Sequence, residues 1–179
     1  TGVPLPLGCF HVFAVHHGRQ LDFLRKGTTM SNQLIEKLND ILRHEWTGVA
    51  QYSQAGFVIQ GLWRPTYSKL FFESAEESFG HAKRIGEKIV ALGGTPSVER
   101  NAVKQSHDLG EMLEHALAFE QGAVDLYKEA LEMAEGDRAL VVLLEDILLE
   151  EQDGVDEITQ LLREQKEMAA QAKSASKAG

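Results

Sequence analysis

A single cysteine, Cys9, occurs among the 179 residues, so neither an internal disulfide framework nor a multi-thiolate zinc site can be built. Proline is almost as scarce, with four in all; they stand at positions 4, 6, 65 and 96 and leave long stretches free of helix breakers. No apolar run approaches the roughly 20 residues of a membrane-spanning helix. Basic side chains are outnumbered, 18 Lys and Arg against 27 Asp and Glu, for a net charge of −9. That balance argues against unaided binding to nucleic acid or to an anionic membrane, and it suits cations as clients. What remains is an acidic chain with 43% apolar residues, enough for a real core in one domain with a tail. A cytoplasmic, mostly helical protein is the expectation.

Residues 1–30 differ from the rest. They hold Pro4, Pro6 and the run Phe10-His-Val-Phe-Ala-Val15 followed by His16 and His17, and they read as an appended or processed extension of uncertain role, or as a short strand or docking arm. His11, His16 and His17 lack acidic partners at fixed spacing, and the segment has no clear signal-peptide pattern. From Ser31 the apolar period is helical. One helix is predicted over about 32–62, stopped by Pro65, and a second over about 66–92, stopped by Gly93-Gly-Thr-Pro96. A third starts near Asp108, whose spacing to Glu111 suits a capping box, and ends near Gly136. Asp137 can cap a fourth, running to about 168, and residues 169–179 form a polar tail that frays. The first and last pairs of helices have short connections, while the middle pair is joined by roughly fifteen residues from Gly93 to His107. Two antiparallel hairpins joined by one long crossover make the ferritin-like type of all-α four-helix bundle over residues 31–168.

Carboxylates appear where a core should be. The first helix presents Leu34, Leu38, Ile41, Glu45, Val49, Tyr52, Gly56 and Ile59 in steps of three and four. The third presents Leu109, Leu113, Ala116, Glu120, Val124, Tyr127 and Leu131, and the fourth Leu144, Leu148, Glu151, Val155, Ile158 and Leu162. On the second, Leu70, Ser74, Glu77 or Ser78, His81, Ile85 and Ile89 bring a glutamate and a histidine to the matching level. One glutamate on an apolar stripe is ordinarily a boundary residue, and one histidine ordinarily a satisfied core residue. Four coincidences, one per helix, are another matter. Each unpaired buried charge costs several kcal/mol against a net stability of about 5–15 kcal/mol for a domain. No Lys or Arg lies on the stripes at that level, so metal cations are the natural compensation; oxygen ligands with one imidazole suit iron or manganese.

An internal repeat supports the same point. Glu45-Trp-Thr-Gly-Val-Ala-Gln-Tyr52 matches Glu120-Gln-Gly-Ala-Val-Asp-Leu-Tyr127, and Glu76-Glu77-Ser-Phe-Gly80 matches Glu150-Glu151-Gln-Asp-Gly154, at offsets of 75 and 74 positions. Two similar hairpins facing each other across a pseudo-twofold axis would bring their glutamates together.

The segments Glu45…Tyr52, Glu73-Ser-Ala-Glu-Glu77…His81-Ala, Leu92-Gly-Gly-Thr-Pro96, Leu117-Ala-Phe-Glu120 and Leu149-Glu-Glu151 resemble the ferritin-like di-iron carboxylate superfamily, and bacterioferritins most closely. The resemblance implies a ferroxidase centre of two irons per subunit, held by Glu45, Glu77, His81, Glu120 and Glu151. It implies oxidation of Fe(II) by O₂ or peroxide and storage in a shell of 12 or 24 subunits. Departures are visible. The family's Glu-x-x-His becomes Glu77-x-x-x-His81, which either a π-bulge at Gly80 or plain i,i+4 geometry would accommodate. The second histidine is replaced by Gly154 and Val155, with Asp153 and Glu150 as a fallback pair. Ser78 replaces the haem-binding methionine, so no haem is expected, and the fifth hydrophobic helix is not evident. A rubrerythrin-like di-iron peroxidase or oxidase, or a structural bundle with a degenerate site, are the alternatives.

Overall fold

The computed structural model describes residues 13–177, with side chains described over 31–168 and at 171. It contains four helices: α1 (Phe13–Val58), α2 (Arg64–Ala91), α3 (Leu109–Met133) and α4 (Arg138–Lys177). None is long and apolar enough, among the described residues, to cross a membrane. Two boundaries differ from expectation. Helical backbone is already present at Phe13 rather than starting at Ser31; with the last upstream proline at position 6, nothing between 13 and 31 forces a stop. At the other end α4 stays helical to Lys177, through the Ala- and Lys-rich segment expected to fray. The histidines at 11, 16 and 17 lie outside the described side chains.

Helix ends follow local chemistry. α1 stops at Val58, four residues short of expectation, where Gly61 takes φ +86° and the Arg64 guanidinium donates to the carbonyls of Phe57 and Ile59. Those carbonyls would otherwise be left without partners. α2 closes in a Schellman arrangement: Gly94 N–H bonds to Ile89 O at 2.9 Å, Gly93 N–H to Val90 O at 2.9 Å, and Gly93 adopts φ +82°. Asp108 accepts from Glu111 N–H at 3.0 Å, and the box is completed through Ser106, whose hydroxyl donates to Glu111 and accepts from Asp108 N–H. Asp137 caps α4 through Leu140 N–H at 3.0 Å.

The crossover runs along α1 in the same direction as that helix, held by α1 side chains spread over about three turns. Asn39 donates to Thr95 O and accepts from Ser97 N–H at 2.7 Å; Trp46 Nε1 donates to Ser97 O; Thr47 accepts from Asn101 N–H at 2.8 Å and Gln51 from Lys104 N–H at 2.9 Å. The crossover thus carries the chain back along α1 before α3 begins, so α2 and α3 run the same way.

The core is in two parts. Leu38, Ile41, Leu42, Ile85, Ile89, Tyr127, Leu140, Leu144 and Ile147 fill one; Tyr52, Ile59, Phe71, Met112, Leu113, Phe119, Ile158 and Leu162 fill the other. Glu45, Ser78, His81 and Glu151 are also buried. They lie at the level between the two apolar halves.

Candidate metal centre

Glu45 from α1, His81 from α2 and Glu151 from α4 are 1%, 4% and 4% exposed. Each offers a ligand atom within 4.8 Å of the others. His81 Nδ1 lies 2.7 Å from Glu151 Oε1 and 3.8 Å from Glu45 Oε2. Its other nitrogen, Nε2, lies 2.7 Å from Glu150 Oε2, and Glu77, His81 and Glu150 form a second convergent group. Glu120 joins electrostatically, since the charge of Glu151 bears on it as it does on Glu45.

Two tyrosines link the halves of the repeat. Tyr127 O–H, from α3, donates to Glu45 on α1 at 2.8 Å. Tyr52 O–H, from α1, donates to Glu120 on α3. Each repeat unit therefore supplies the hydrogen bond to the other unit's glutamate, the reciprocity that a pseudo-twofold axis demands.

The electrostatics show how much negative charge is gathered. Burial first, then the charge of Glu151, holds Glu45 and Glu120 well above the usual carboxylate range, although their tyrosine hydrogen bonds pull the other way. Burial works to lower His81, but hydrogen bonds and charge from Glu151 and Glu150 outweigh it and the imidazole is raised. Burial raises Glu77 too. Without a cation the cluster therefore favours holding protons. A set of carboxylates and one imidazole, with no Lys or Arg in the buried group, fits a hard or borderline cation such as Fe(II) or Mn(II).

The structure selects among several alternatives left open by the sequence. The buried face of α2 runs Phe71, Ala75, Ser78, Ala82, Ile85 and Ile89, so Ser78 points inward and Glu77 is exposed, reaching His81 from the solvent side. The helix is α-helical throughout, with no π turn at Gly80, and i,i+4 geometry brings Glu77 and His81 together. Glu150 is a direct partner of His81, whereas Asp153 is exposed and joins neither group. Two glycines make room. A Cβ at Gly48 would come within 2.4 Å of Ser78 Oγ, and one at Gly154 within 3.1 Å of Glu120 Oε2. Gly154 thus leaves the Glu120 carboxylate the space a side chain would take. Sequence reasoning missed these contacts; the glycine three residues after Glu45, inside a helix, was the available signal.

A family model for the ferritin-like domain matches residues 35–168. The chain belongs to the ferritin-like family. Bacterioferritin of Rhodobacter capsulatus is 33% identical over 130 residues, covering 69% of this chain and 79% of the relative. A protein named nutrient stress-induced DNA-binding protein, from a Synechococcus strain, is 29% identical over 150 residues, 75% of this chain and 84% of its own length. Among solved structures, a ferritin-like, diiron-carboxylate protein from Bacillus anthracis is 33% identical with a TM-score of 0.72, covering 74% of this chain and 97% of its own. Within this ferritin-like framework Glu45, His81 and Glu151 are buried in the bundle, Glu120 is half-buried and Glu77 is exposed.

Proposed function

We propose that the protein binds Fe(II) at this centre and oxidises it to Fe(III), for iron storage or detoxification. The observation that carries the reading is the convergence of buried Glu45, His81 and Glu151, with Glu120 close by, where no Lys or Arg of the buried group balances them. Fe(II) is the substrate, two ions per subunit, with Glu77 the α2 carboxylate on the solvent side of His81. Two Fe(II) give up two electrons, which with two protons take O₂ to hydrogen peroxide, or hydrogen peroxide to water. The chain's part is to hold the ions by carboxylates, to orient Glu45 and Glu120 through Tyr127 and Tyr52, and to keep the site inside a dry bundle.

The assembly we propose is a haem-free closed shell of 12 or 24 copies that stays free of nucleic acid. α2 carries no methionine, and the net charge of −9 repels phosphate backbones while concentrating cations. One observation favours the structural alternative: Ser78 and Gly154 offer no carboxylate or imidazole. The test is Fe(II) oxidation followed by near-ultraviolet absorbance together with O₂ or peroxide consumption. Glu45→Ala, Glu120→Ala and His81→Ala should each slow it about tenfold or more. Wild-type rates from the Glu45→Ala/Glu120→Ala double variant would defeat the reading. Storage requires many irons per subunit, a peroxidase about two, and a structural bundle none.

A further inference from the structure

A cavity of about 190 Å³ opens between α1, the crossover and α3. Two of its walls, His44 and Phe119, directly precede Glu45 and Glu120, but neither glutamate lines it. Those walls are fixed: the two rings stack at 3.9 Å with 12° between their planes, and His44 Nε2 donates to Phe119 O at 3.1 Å. Thr47 is committed as well, its hydroxyl donating to Arg43 O and accepting from Asn101 N–H. Donors are left over. Gln51, 6% exposed, accepts from Lys104 N–H through Oε1, and its Nε2 has no acceptor among the described residues. Neither the Lys104 ammonium nor the His115 ring, both at the cavity, is paired with a carboxylate among the described residues. No Asp or Glu lines this cavity, in a chain that has 27 of them. The grooves beside Trp63, Asn32 and Phe79 each include at least one.

We propose that this cavity binds a small tetrahedral oxyanion of the class of inorganic phosphate, held by Gln51 Nε2 and the Lys104 ammonium, with Asn101 and His115 beside it. An ammonium and an amide nitrogen are donors only, so the ligand that completes them brings acceptors. A cation would find no carboxylate there, and an apolar ligand would leave the buried Gln51 nitrogen without a partner. Hydrogen bonds from an ammonium to an anion are charge-assisted and stronger than neutral ones. Size narrows the choice. The cavity holds the volume of about six waters, room for a tetrahedral oxyanion with part of its hydration. It falls short of the roughly 300 Å³ at which sites for larger organic ligands begin. The net charge of −9 opposes an anion at long range, but salt screens that repulsion beyond about 8–10 Å. Closer in, the groups lining the cavity are basic or neutral. The site is thus opposite in sign to the buried carboxylate centre and does not depend on what that centre binds.

Inorganic phosphate is the probe, titrated by calorimetry into the full chain at constant ionic strength, with a chelator present so that no bound metal carries it. The wild type should bind phosphate saturably, one per chain. Lys104→Gln should weaken binding about fivefold or more. Ala118→Asp puts a carboxylate on an exposed α3 position that lines the cavity, and should abolish binding with unchanged helicity. Lys69→Gln, exposed on α2 and outside the cavity, should bind as the wild type does. Absence of saturable binding by the wild type, or wild-type affinity in both Lys104→Gln and Ala118→Asp, would overturn the site. A loss in Lys69→Gln equal to that in Lys104→Gln would reduce the effect to net charge and overturn it too. Competition by sulfate supports a tetrahedral oxyanion pocket; displacement of phosphate by a short DNA duplex would mean an open surface contact and defeat it. The two readings separate cleanly. Phosphate binding without Fe(II) oxidation defeats the ferroxidase reading alone, and Fe(II) oxidation without phosphate binding defeats the oxyanion site alone.

Discussion

Glu45 and Glu120 hold their protons more tightly in the folded protein than the ordinary carboxylate does, first because they are buried and then because Glu151 stands beside them. A group raised on folding contributes stability that is complete below its unfolded value and drains away as pH climbs toward its folded one. The reference for both glutamates is 4.5. His81, raised above 6.5, adds a loss of the same sign near neutrality. His44, which burial lowers from 6.5 while it stacks on Phe119 and hydrogen-bonds to the Phe119 carbonyl, works the opposite way: its contribution is present above 6.5 and lost as pH falls. Two glutamates raised well above their range outweigh it. The metal-free protein should therefore melt at progressively lower temperature from about pH 5 to pH 8, and a saturating divalent ion should remove the slope. The ion should also raise the melting point, by about 2.7 kcal/mol of stability at a hundredfold excess over Kd for one site. Glu151→Gln should narrow the gap between the metal-free and loaded forms by removing a negative charge from the centre. Calorimetry in chelator and in Mn(II) measures both; equal melting with and without Mn(II) would return the centre to a structural role.

At the scale of elements, three- and four-residue spacing reveals that a helix has a buried stripe, yet fixes its phase only where neighbours differ in character. On α1, α3 and α4 the glutamate stands among aliphatic residues, and Glu45, Glu120 and Glu151 were all legible. On α2 both Leu70 and Phe71 are apolar and both Glu77 and Ser78 fit the step, so the choice fell to packing: Phe71 is fully buried, and Ser78 faces Gly48, where only hydrogen stands in its way. The crossover shows a second limit. Its length was plain from the positions of Gly93 and Asp108, but the side chains that hold it were not, because Asn39, Thr47 and Gln51 look like ordinary polar positions until the extended backbone lies on them. All three are buried. Asn39 satisfies two backbone groups at once, Thr95 O and Ser97 N–H. Asn39→Ala leaves both without that partner and should cost about 1–3 kcal/mol. Urea denaturation measures it, and Lys69→Ala on the exposed face of α2, whose ion pair with Glu73 is solvent-screened, should cost under about 1 kcal/mol. Similar losses in the two variants would mean the crossover is held by its own turns rather than by α1.

The whole molecule is a duplicated hairpin whose halves complete each other, and that is why the 75-residue offset between Glu45 and Glu120 carried so far. Tyr127 bonding Glu45 and Tyr52 bonding Glu120 is a contact between repeats, invisible within either one. The symmetry is broken on one side only, where His81 has Val155 and Gly154 near its counterpart position, and there the α4 side lends Glu150 to the α2 histidine instead. The outer surface raises a last question of scale. Phe79, Val90 and Val98 are 53%, 59% and 92% exposed, and with Trp46, Gly86 and Pro96 they line a groove of about 510 Å³. Contiguous apolar surface of this kind is ordinarily covered in the working assembly. Lys83 and Glu87 stand on its border, one helical turn apart, so a second copy packed antiparallel would set each lysine opposite the other copy's glutamate. Sedimentation velocity at micromolar concentration should show an assembly well beyond a dimer, colourless or iron-brown and without Soret absorbance. Phe79→Glu/Val90→Lys, both on exposed α2 positions that the core does not need, should break it into smaller species with unchanged helicity. A wild-type monomer or simple dimer would end the storage reading while leaving cation binding at Glu45, His81 and Glu151 intact, since every ligand of that centre comes from one chain.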